Sequence, residues 1–387
     1  MIICIIIMAI TAFFAFYAMF GYPMIIILLG KFKKDKAETD IDFEPTVSYM
    51  IVAHNEEKVI LQKLENALKI DYPKEKFQIL VASDFCTDLT DEIVQNFIDN
   101  HKDYNIILNK SIEHKGKTNA QNETQKLATG EILVMTDANS MFETNAIREL
   151  VSYFYDKKVA YVCGKLKYVN NDNLTSSTES LYWKLDLKVR EIESRFHAIT
   201  AGNGSIYAVR NEYYVDVDPI YCHDSEFPYL FTLKKKLCLY NSNAISYEKA
   251  GECNVDEFKR KVRMNRTILN VFIRMWKPFN VFKYGWFSFF YFGHRTCRYL
   301  LWLNHIAFFI TSVVFTCIGY YIAGAIIVSL QLLALFIGFI SIKHTSKILL
   351  IRLIGYYMIT VLSQIVAAFK QMTGKSKPTW EKAESTR

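Results

Sequence analysis

Three apolar runs in the first half of the chain each end in an acidic residue. Thr46–Ala53 leads into His54-Asn55-Glu56-Glu57, Phe77–Ala82 into Ser83-Asp84, and Glu131–Thr136 into Asp137-Ala138-Asn139. Short apolar runs rich in Val and Ile read as strands covered on both faces. Helical patterns separate them. Ile60, Leu64, Ala67 and Leu68 mark one face of a helix, with Asn55 placed to cap it and Glu56 and Glu57 in its first turn. Asp71-Tyr72-Pro73 ends that helix. Ile93, Val94, Phe97 and Ile98 mark a second, with Thr87 or Asp88 as its cap. A short strand over Tyr104–Leu108 follows, then a helix over Thr118–Ala128 stopped by Gly130. Strands alternating with helices predict an α/β fold with a parallel sheet, and such sheets bind ligands at the carboxyl ends of their strands.

The ends of the chain obey different physics. Met1–Leu29 is almost wholly apolar and uncharged, longer than the roughly 20 residues a membrane span needs. It lacks a basic start and a small-residue cleavage site, so it reads as a retained span rather than a signal peptide. Pro23 marks a kink or the interfacial end. Lys31, Lys33, Lys34 and Lys36 follow, and positive charge marks the cytoplasmic side. The formal net charge of +7 gathers in juxtamembrane segments rather than on a soluble stripe, which excludes nucleic acid as the partner and points to the bilayer. The eight cysteines, Cys253 among them, form no Cys-x-x-Cys pair and fit reduced thiols.

Residues 159–169 alternate as a strand, 170–178 read as a polar loop, and Glu179–Arg195 as a long helix bearing Trp183. Gly202-Asn203-Gly204 breaks the chain before a short strand over Ser205–Val209, and Leu237–Tyr247 holds another. Residues 258–297 mix Arg and Lys with Phe, Trp and Tyr, as segments lying in a membrane interface do. Tyr299–Tyr321, Ile322–Ile342 and Leu349–Phe369 are three further candidate spans. The expected organisation is a membrane helix over 1–30, a cytoplasmic domain over 31–257, interfacial helices over 258–297, membrane helices over 298–370 and a basic tail over 371–387. Lys343, His344 and Lys347 suit a cytoplasmic turn, whereas three spans would carry the basic tail outside, against the same charge rule.

Asp137 at the end of an apolar strand can bind Mg²⁺ or Mn²⁺ and leave positions for both phosphates of a nucleoside diphosphate. Asn139 can add an amide oxygen; elsewhere in a chain, Asp-x-Asn is a common turn. Asp84 and Glu56 suit hydrogen bonds to a base and ribose, although Glu56 equally suits a helix start. Ala53 ends the first strand beside them. Lys115 and Lys117 offer cations to a pyrophosphate or make a solvated turn. Asp224, in Tyr221-Cys222-His223-Asp224, reads locally as a surface-loop residue, but a transferase needs a base on its acceptor side. Arg260 and Arg263 suit a departing diphosphate or a basic interfacial helix. His54 reads as structural and Asp88 as a helix cap.

In order along residues 45–265, these pieces resemble the membrane-bound glycosyltransferases of family 2, which include cellulose, hyaluronan and poly-N-acetylglucosamine synthases. The resemblance implies a GT-A, Rossmann-like nucleotide-diphospho-sugar transferase domain with flanking transmembrane helices, and an inverting reaction. It implies Asp84 at the nucleobase, Asp137 at the metal-bound diphosphate and Asp224 as base. Trp183, Gly202, Asn203, Gly204 and Ser205 would line the acceptor side. Two departures stand out. Asn139 replaces the family's second metal-site acid, and Arg260-Lys261-Val262-Arg263-Met264 lacks the tryptophan of Gln-x-x-Arg-Trp. The expected function is transfer of a sugar, from a UDP-sugar, to a growing polysaccharide or lipid-linked glycan at the cytoplasmic face of the cell membrane. Single transfer to a lipid-linked acceptor, and a silent nucleotide-sugar-binding subunit, are the alternatives.

Overall fold

The computed structural model describes residues 2–34, 37–169, 174–249 and 254–379, and the side chains of 174–182 lie outside the described set. Lys36, Cys253, the residues Glu179–Tyr182 of the family pattern (as side chains) and the basic tail beyond 379 therefore fall outside it. The apolar amino-terminal run forms α1 (Ile2–Phe16), a π-helical turn over Tyr17–Gly21, and α2 (Tyr22–Phe32). Then come β1 (Val47–Ala53), α3 (Ile60–Leu68), β2 (Phe77–Ser83), α4 (Thr90–Asn100), β3 (Asn105–Lys110), α5 (Lys117–Gln125), β4 (Ile132–Asp137) and β5 (Met141–Phe142). The middle of the chain adds α6 (Ala146–Val151), β6 (Val159–Tyr168), α7 (Leu174–Arg195), β7 (Tyr207–Arg210), α8 (His223–Leu233) and β8 (Leu237–Glu248). The remainder is helical: α9 (Asn254–Met264), short α10 (Val271–Arg274), α11 (Val281–Tyr284), α12 (Trp286–Phe290) and α13 (Cys297–Tyr299), then α14 (Leu301–Cys317), α15 (Tyr321–Ser341) and α16 (Leu349–Met372). Contacts divide the chain into two compact units, one of residues 1–31, 171–189 and 251–376, the other of 32–170, 190–250 and 377–387.

The second unit is built on one eight-stranded sheet, ordered β3-β2-β1-β4-β7-β6-β8-β5. β3, β2, β1 and β4 are parallel, as expected; β7 runs antiparallel to β4 and β6, so the sheet is mixed. Every residue of β1 and β2 is buried, which explains their unbroken apolar character. Tyr49, Ile51, Val81, Val134 and Ile147 belong to one continuous core with Ile60 and Leu64 of α3 and Val94 of α4.

Several local expectations give way to other uses of the same residues. Asn55 does not cap α3. It has a positive φ of 55°, and its Oδ1 accepts from Thr87 N at 2.7 Å, tying the loop after β1 to the loop after β2. Helix α3 starts only at Ile60, so Glu56 and Glu57 precede it. Gly130 is not a helix stop either, since α5 ends at Gln125. Its N–H donates to Ser48 Oγ at 2.8 Å, and a Cβ there would lie 2.3 Å from Ser48 N. Helix α7 begins at Leu174, inside the stretch expected to be loop.

Among the described residues, three helices are long and apolar enough to cross a membrane: Ile2–Phe32, Tyr321–Ser341 and Leu349–Met372. A fourth is possible if the pair Trp286–Tyr299 and Leu301–Cys317, bent by 57°, counts as one. Small residues let α15 and α16 approach closely: a Cβ on Gly338 would lie 2.4 Å from Met358 Cβ, and one on Gly355 would lie 2.1 Å from Ser341 Oγ. Phe258 and Val262 of α9 pack with Trp302, Ala367 and Ala368, so α9 is amphipathic against α14 and α16.

Gly130→Ala places a methyl against the backbone of β1, which cannot move without disturbing the sheet. We expect a loss of about 1–3 kcal/mol, read as a lowered thermal midpoint, whereas Thr129→Ala beside it should cost clearly less.

Candidate active site

Strand register brings the acids together. Ala53 pairs with Ser83 across β1–β2, and Val52 with Asp137 across β1–β4, so the three acid-tipped ends stop at one level. Asp84 N donates to Ala53 O at 2.9 Å, closing the turn out of β2. The Asp84 side chain is buried; its Oδ1 accepts from Lys115 N and Gly116 N, each at 3.2 Å. Gly116 has φ +94°, a conformation that favours glycine, and Lys117 follows it at the head of α5. A Cβ on Gly116 would also sit 2.8 Å from Pro378 O, so the carboxy-terminal segment lies against this loop.

Lys117 joins the loop to the other two acids. Its Nζ donates to Asp137 Oδ1 at 2.5 Å and to Gly204 O at 3.2 Å. Burial opposes the ammonium, but the Asp137 and Asp224 carboxylates outweigh it, and the Lys117 pKa ends above the ordinary lysine value. A Cβ built on Gly204 would lie 3.0 Å from Lys117 Nζ, 3.7 Å from Asp137 Oδ2 and 3.9 Å from Asp224 Cγ. Asp137 and Asp224 therefore face one small space, floored by a residue with no side chain.

Asp224 sits in the first turn of α8 rather than in a surface loop. Its carbonyl accepts from Gly202 N at 2.8 Å, and a Cβ on Gly202 would strike the Tyr161 hydroxyl at 1.8 Å. Asn203 staples the same loop: its Oδ1 accepts from Ser205 Oγ at 2.7 Å and Ile206 N at 3.1 Å. Ser205 O accepts from Thr136 Oγ1 at 2.8 Å, which ties this loop to the end of β4. Glu56 is buried, and its backbone N–H donates to Thr90 Oγ1 at 2.7 Å. Asp88 does hold the head of α4, its Oδ1 accepting from Thr90 N at 3.0 Å. Lys115 points outward, its Nζ 3.1 Å from Glu113. Trp183, Arg260 and Arg263 belong to the other unit, where Arg260 is held by Glu257 at 2.7 Å.

Three contributors escaped the motif reading. Lys63 of α3 is fully buried behind the Asp137-Ala138-Asn139 turn, donating to Thr136 Oγ1 at 3.2 Å and to Ser140 O. Its ammonium is 4.5 Å from the centre of the Phe142 ring. Burial pushes its pKa down to about 7, with Asp137 and Glu248 pulling the other way. The sign of it in the sequence is a lysine between Ile60 and Leu64 on an apolar helix face. Glu248 of β8 reaches the same turn by accepting from Ser140 Oγ. His223 is buried next to Asp224 and faces Gln121, Asn122 and Tyr214 at 2.9 Å each. Burial, helped by Lys117, pushes its pKa down to about 3, so this imidazole is neutral and anchors α8 to α5.

Two donor sets come into question for a divalent cation. Asp137, half-exposed with Oδ2 turned toward Gly204, and Asn139 in the next turn offer hard oxygen ligands of the kind Mg²⁺ and Mn²⁺ take. His54, Asp84 and His114 also bring ligand atoms within 4.8 Å of one another. There, however, the imidazoles stack at 4.0 Å and 12°, and lone pairs lying in parallel planes do not converge on one ion. Asp84 Oδ2 and His114 Nδ1, 2.9 Å apart and both buried, instead form an edge without hydrogen-bond geometry between them. Such an edge suits a base with adjacent donor and acceptor.

A mixed sheet with acids at the ends of its parallel strands and a half-buried aspartate opposite is the GT-A fold of nucleotide-sugar transferases. Residues 48–216 match Glycosyl transferase family 2, and the chain carries a glycosyltransferase domain of that family. Over 128 residues it is 34% identical to the "Probable glycosyltransferase YdaM" of Bacillus subtilis, covering 33% of this chain and 30% of that one. Over 184 residues it is 23% identical to the poly-beta-1,6-N-acetyl-D-glucosamine synthase of Staphylococcus aureus, covering 47% of this chain and 43% of that one. The chain thus spans less than half the length of these curated relatives. Among solved structures, the mannosyltransferase PcManGT from Pyrobaculum calidifontis, in complex with GDP-Man and Mn²⁺, superposes with a TM-score of 0.73 at 18% identity. That match covers 95% of this chain and 99% of the other, and shows the fold.

The buried Lys63 makes a pH-dependent prediction. Its folded-state pKa, about 7, lies below the 10.5 of a free lysine, so the unfolded chain binds more protons between those values. Stability of the wild type should rise relative to Lys63→Met as pH goes from 7 toward 10, by at most about 1.4 kcal/mol per pH unit. Below pH 7 the difference should be flat. Denaturant unfolding of both proteins across that range checks it.

Proposed function

We propose that this chain is an inverting glycosyltransferase that moves a sugar from a nucleotide-diphospho-sugar, a UDP-sugar, onto a growing polysaccharide or a lipid-linked glycan. The observation that carries the reading is the space at Gly204, where Lys117, Asp137 and Asp224 converge. Asp84, with the His114 edge, would take the base. Ala53 and Glu56 would line the nucleoside side. Lys117, now held by Asp137, would turn to the pyrophosphate, with Lys115 outside it. Asp137 and Asn139 would hold Mg²⁺ or Mn²⁺, whose chemistry when bound is to neutralise charge on the departing diphosphate.

The reaction is a direct displacement. The acceptor hydroxyl gives its proton to Asp224, its oxygen bonds to the anomeric carbon, and the bond from that carbon to the diphosphate oxygen breaks. The glycine at 204 leaves room for the sugar, and neutral His223 holds Asp224 in place without competing for the proton. Trp183 is assigned to the acceptor, and Arg260 and Arg263 to the leaving diphosphate, on the strength of the family pattern. The chain would work at the cell membrane through several spans, with this unit on the cytoplasmic side, as Lys31, Lys33 and Lys34 after the first span support.

One observation favours a second reading. Lys117 already neutralises Asp137, and Asn139 gives the turn one carboxylate rather than two. A silent subunit that binds nucleotide sugar would tolerate that arrangement.

Turnover of UDP-sugars by the purified full chain with Mn²⁺ separates the two. Asp224→Asn should reduce kcat by about 10²–10⁴-fold with donor binding retained; equal rates would remove Asp224 from the mechanism, and no turnover with any donor would favour the silent subunit. Product length on a gel then distinguishes a polymer from a single transfer. Asn139→Asp should keep or raise activity and tighten Mn²⁺ binding, measured by calorimetry; a large loss of activity would show that the turn does not hold the cation.

A further inference from the structure

Helix α16 ends in a defined turn, and the chain beyond it is held. Gly374 takes φ +66°, a conformation that favours glycine, and Lys375 N donates back to Lys370 O at 2.8 Å. Such a bond turns a chain out of its helix in a fixed direction. Residues 372–375 are exposed, but cover returns at Ser376 and again at Pro378 and Thr379. Ser376 Oγ donates to Arg266 O at 3.0 Å, which pins the exit from the helical unit. From Lys377 onward the chain belongs to the unit built on the sheet.

Pro378 restricts both itself and Lys377. Its ring fixes φ, and a residue before proline is biased toward extended backbone. A Lys-Pro pair therefore loses less entropy when held straight than two ordinary residues do. The segment is held against Gly116. A Cβ built on Gly116 would lie 2.8 Å from Pro378 O, 3.1 Å from Pro378 C and 3.5 Å from Thr379 N, all of them backbone atoms. Gly116 thus has two reasons to lack a side chain, its φ of +94° and the segment lying on it.

Gly116 is the junction of the candidate donor site. Its N–H and that of Lys115 both donate to Asp84 Oδ1. Its carbonyl accepts from Asn119 N at 3.0 Å and Ala120 N at 3.2 Å, which starts α5. Lys117, the next residue, reaches Asp137 and Gly204 O. The base side and the diphosphate side therefore meet at the one residue on which Pro378 rests. A loop between β3 and α5 keeps a single geometry only where contacts repay the entropy of ordering it. The backbone of 378–379 supplies such a contact from a distant part of the chain.

We propose that residues 377–379 are positioning residues of the donor site. They strap the Lys115-Gly116-Lys117 loop in the conformation that aims its N–H groups at Asp84 and its lysine at Asp137. The strap rests on the geometry at Gly116; its consequence for the donor rests on the function proposed above. A site that is competent only part of the time binds its ligand more weakly by that fraction. Losing the strap should then weaken donor binding without removing any group that touches the donor.

Three proteins are compared in nonionic detergent: the full chain, a chain ending at Thr379 and a chain ending at Ser376. Before any ligand is added, hydrogen exchange is followed by mass spectrometry in the peptide carrying Lys115, Gly116 and Lys117. The chain ending at Ser376 should exchange there about tenfold faster, and the chain ending at Thr379 at the rate of the full chain. UDP with Mn²⁺, followed by calorimetry, should bind the chain ending at Ser376 about five- to tenfold more weakly, with its thermal midpoint little changed. Should that chain fail to fold, Lys377→Gly together with Pro378→Gly in the full chain loosens the same segment and should move both readouts in the same direction. Unchanged exchange in the loop overturns the strap. Tighter UDP binding without the segment overturns the positioning role, since the segment would then obstruct the donor. If the full chain binds no UDP, the donor reading fails by itself, and the exchange rates still decide whether the segment holds the loop.

Discussion

Parallel pairing of β1 with both β2 and β4 is the constraint on which the site depends. Register in a sheet is set by which faces are buried, and β1 is buried on both. Once Val52 stands opposite Asp137 and Ala53 opposite Ser83, the chain has no choice about where its acids emerge. Gly130 and Ser48 lock the opposite end of the same strands, so contacts far from the chemistry hold Asp84 and Asp137 level. The buried core is therefore the positioning device, and the loops above it supply the ligands.

Gathering carboxylates in one place raises an electrostatic cost, and the structure meets it with lysines on two sides. Lys117 approaches from the open side and pairs directly with Asp137. Lys63 approaches from beneath, through the turn that carries Asp137 and Asn139. The two differ in environment: carboxylates hold Lys117 charged, whereas burial draws Lys63 to about 7. On the proposed function, the Lys117 ammonium would exchange its carboxylate for a phosphate, while Lys63 is fixed to backbone and hydroxyl groups.

The acid-tipped strands were readable because burial on two faces forces an apolar run, and the acids stand where each run leaves the core. The remaining features were not readable for equally physical reasons. Asn55 has the chemistry of a helix cap, yet its side chain is drawn across to Thr87, and only the sheet decides that. Gly130 looked like a helix stop because a close approach to another strand leaves no local mark. Lys63 left no mark in the motif reading because its partners, Thr136 and Ser140, lie more than seventy residues away. Asp224 read as a surface loop, since its partners Gly202, Tyr161 and Lys117 come from three separate segments.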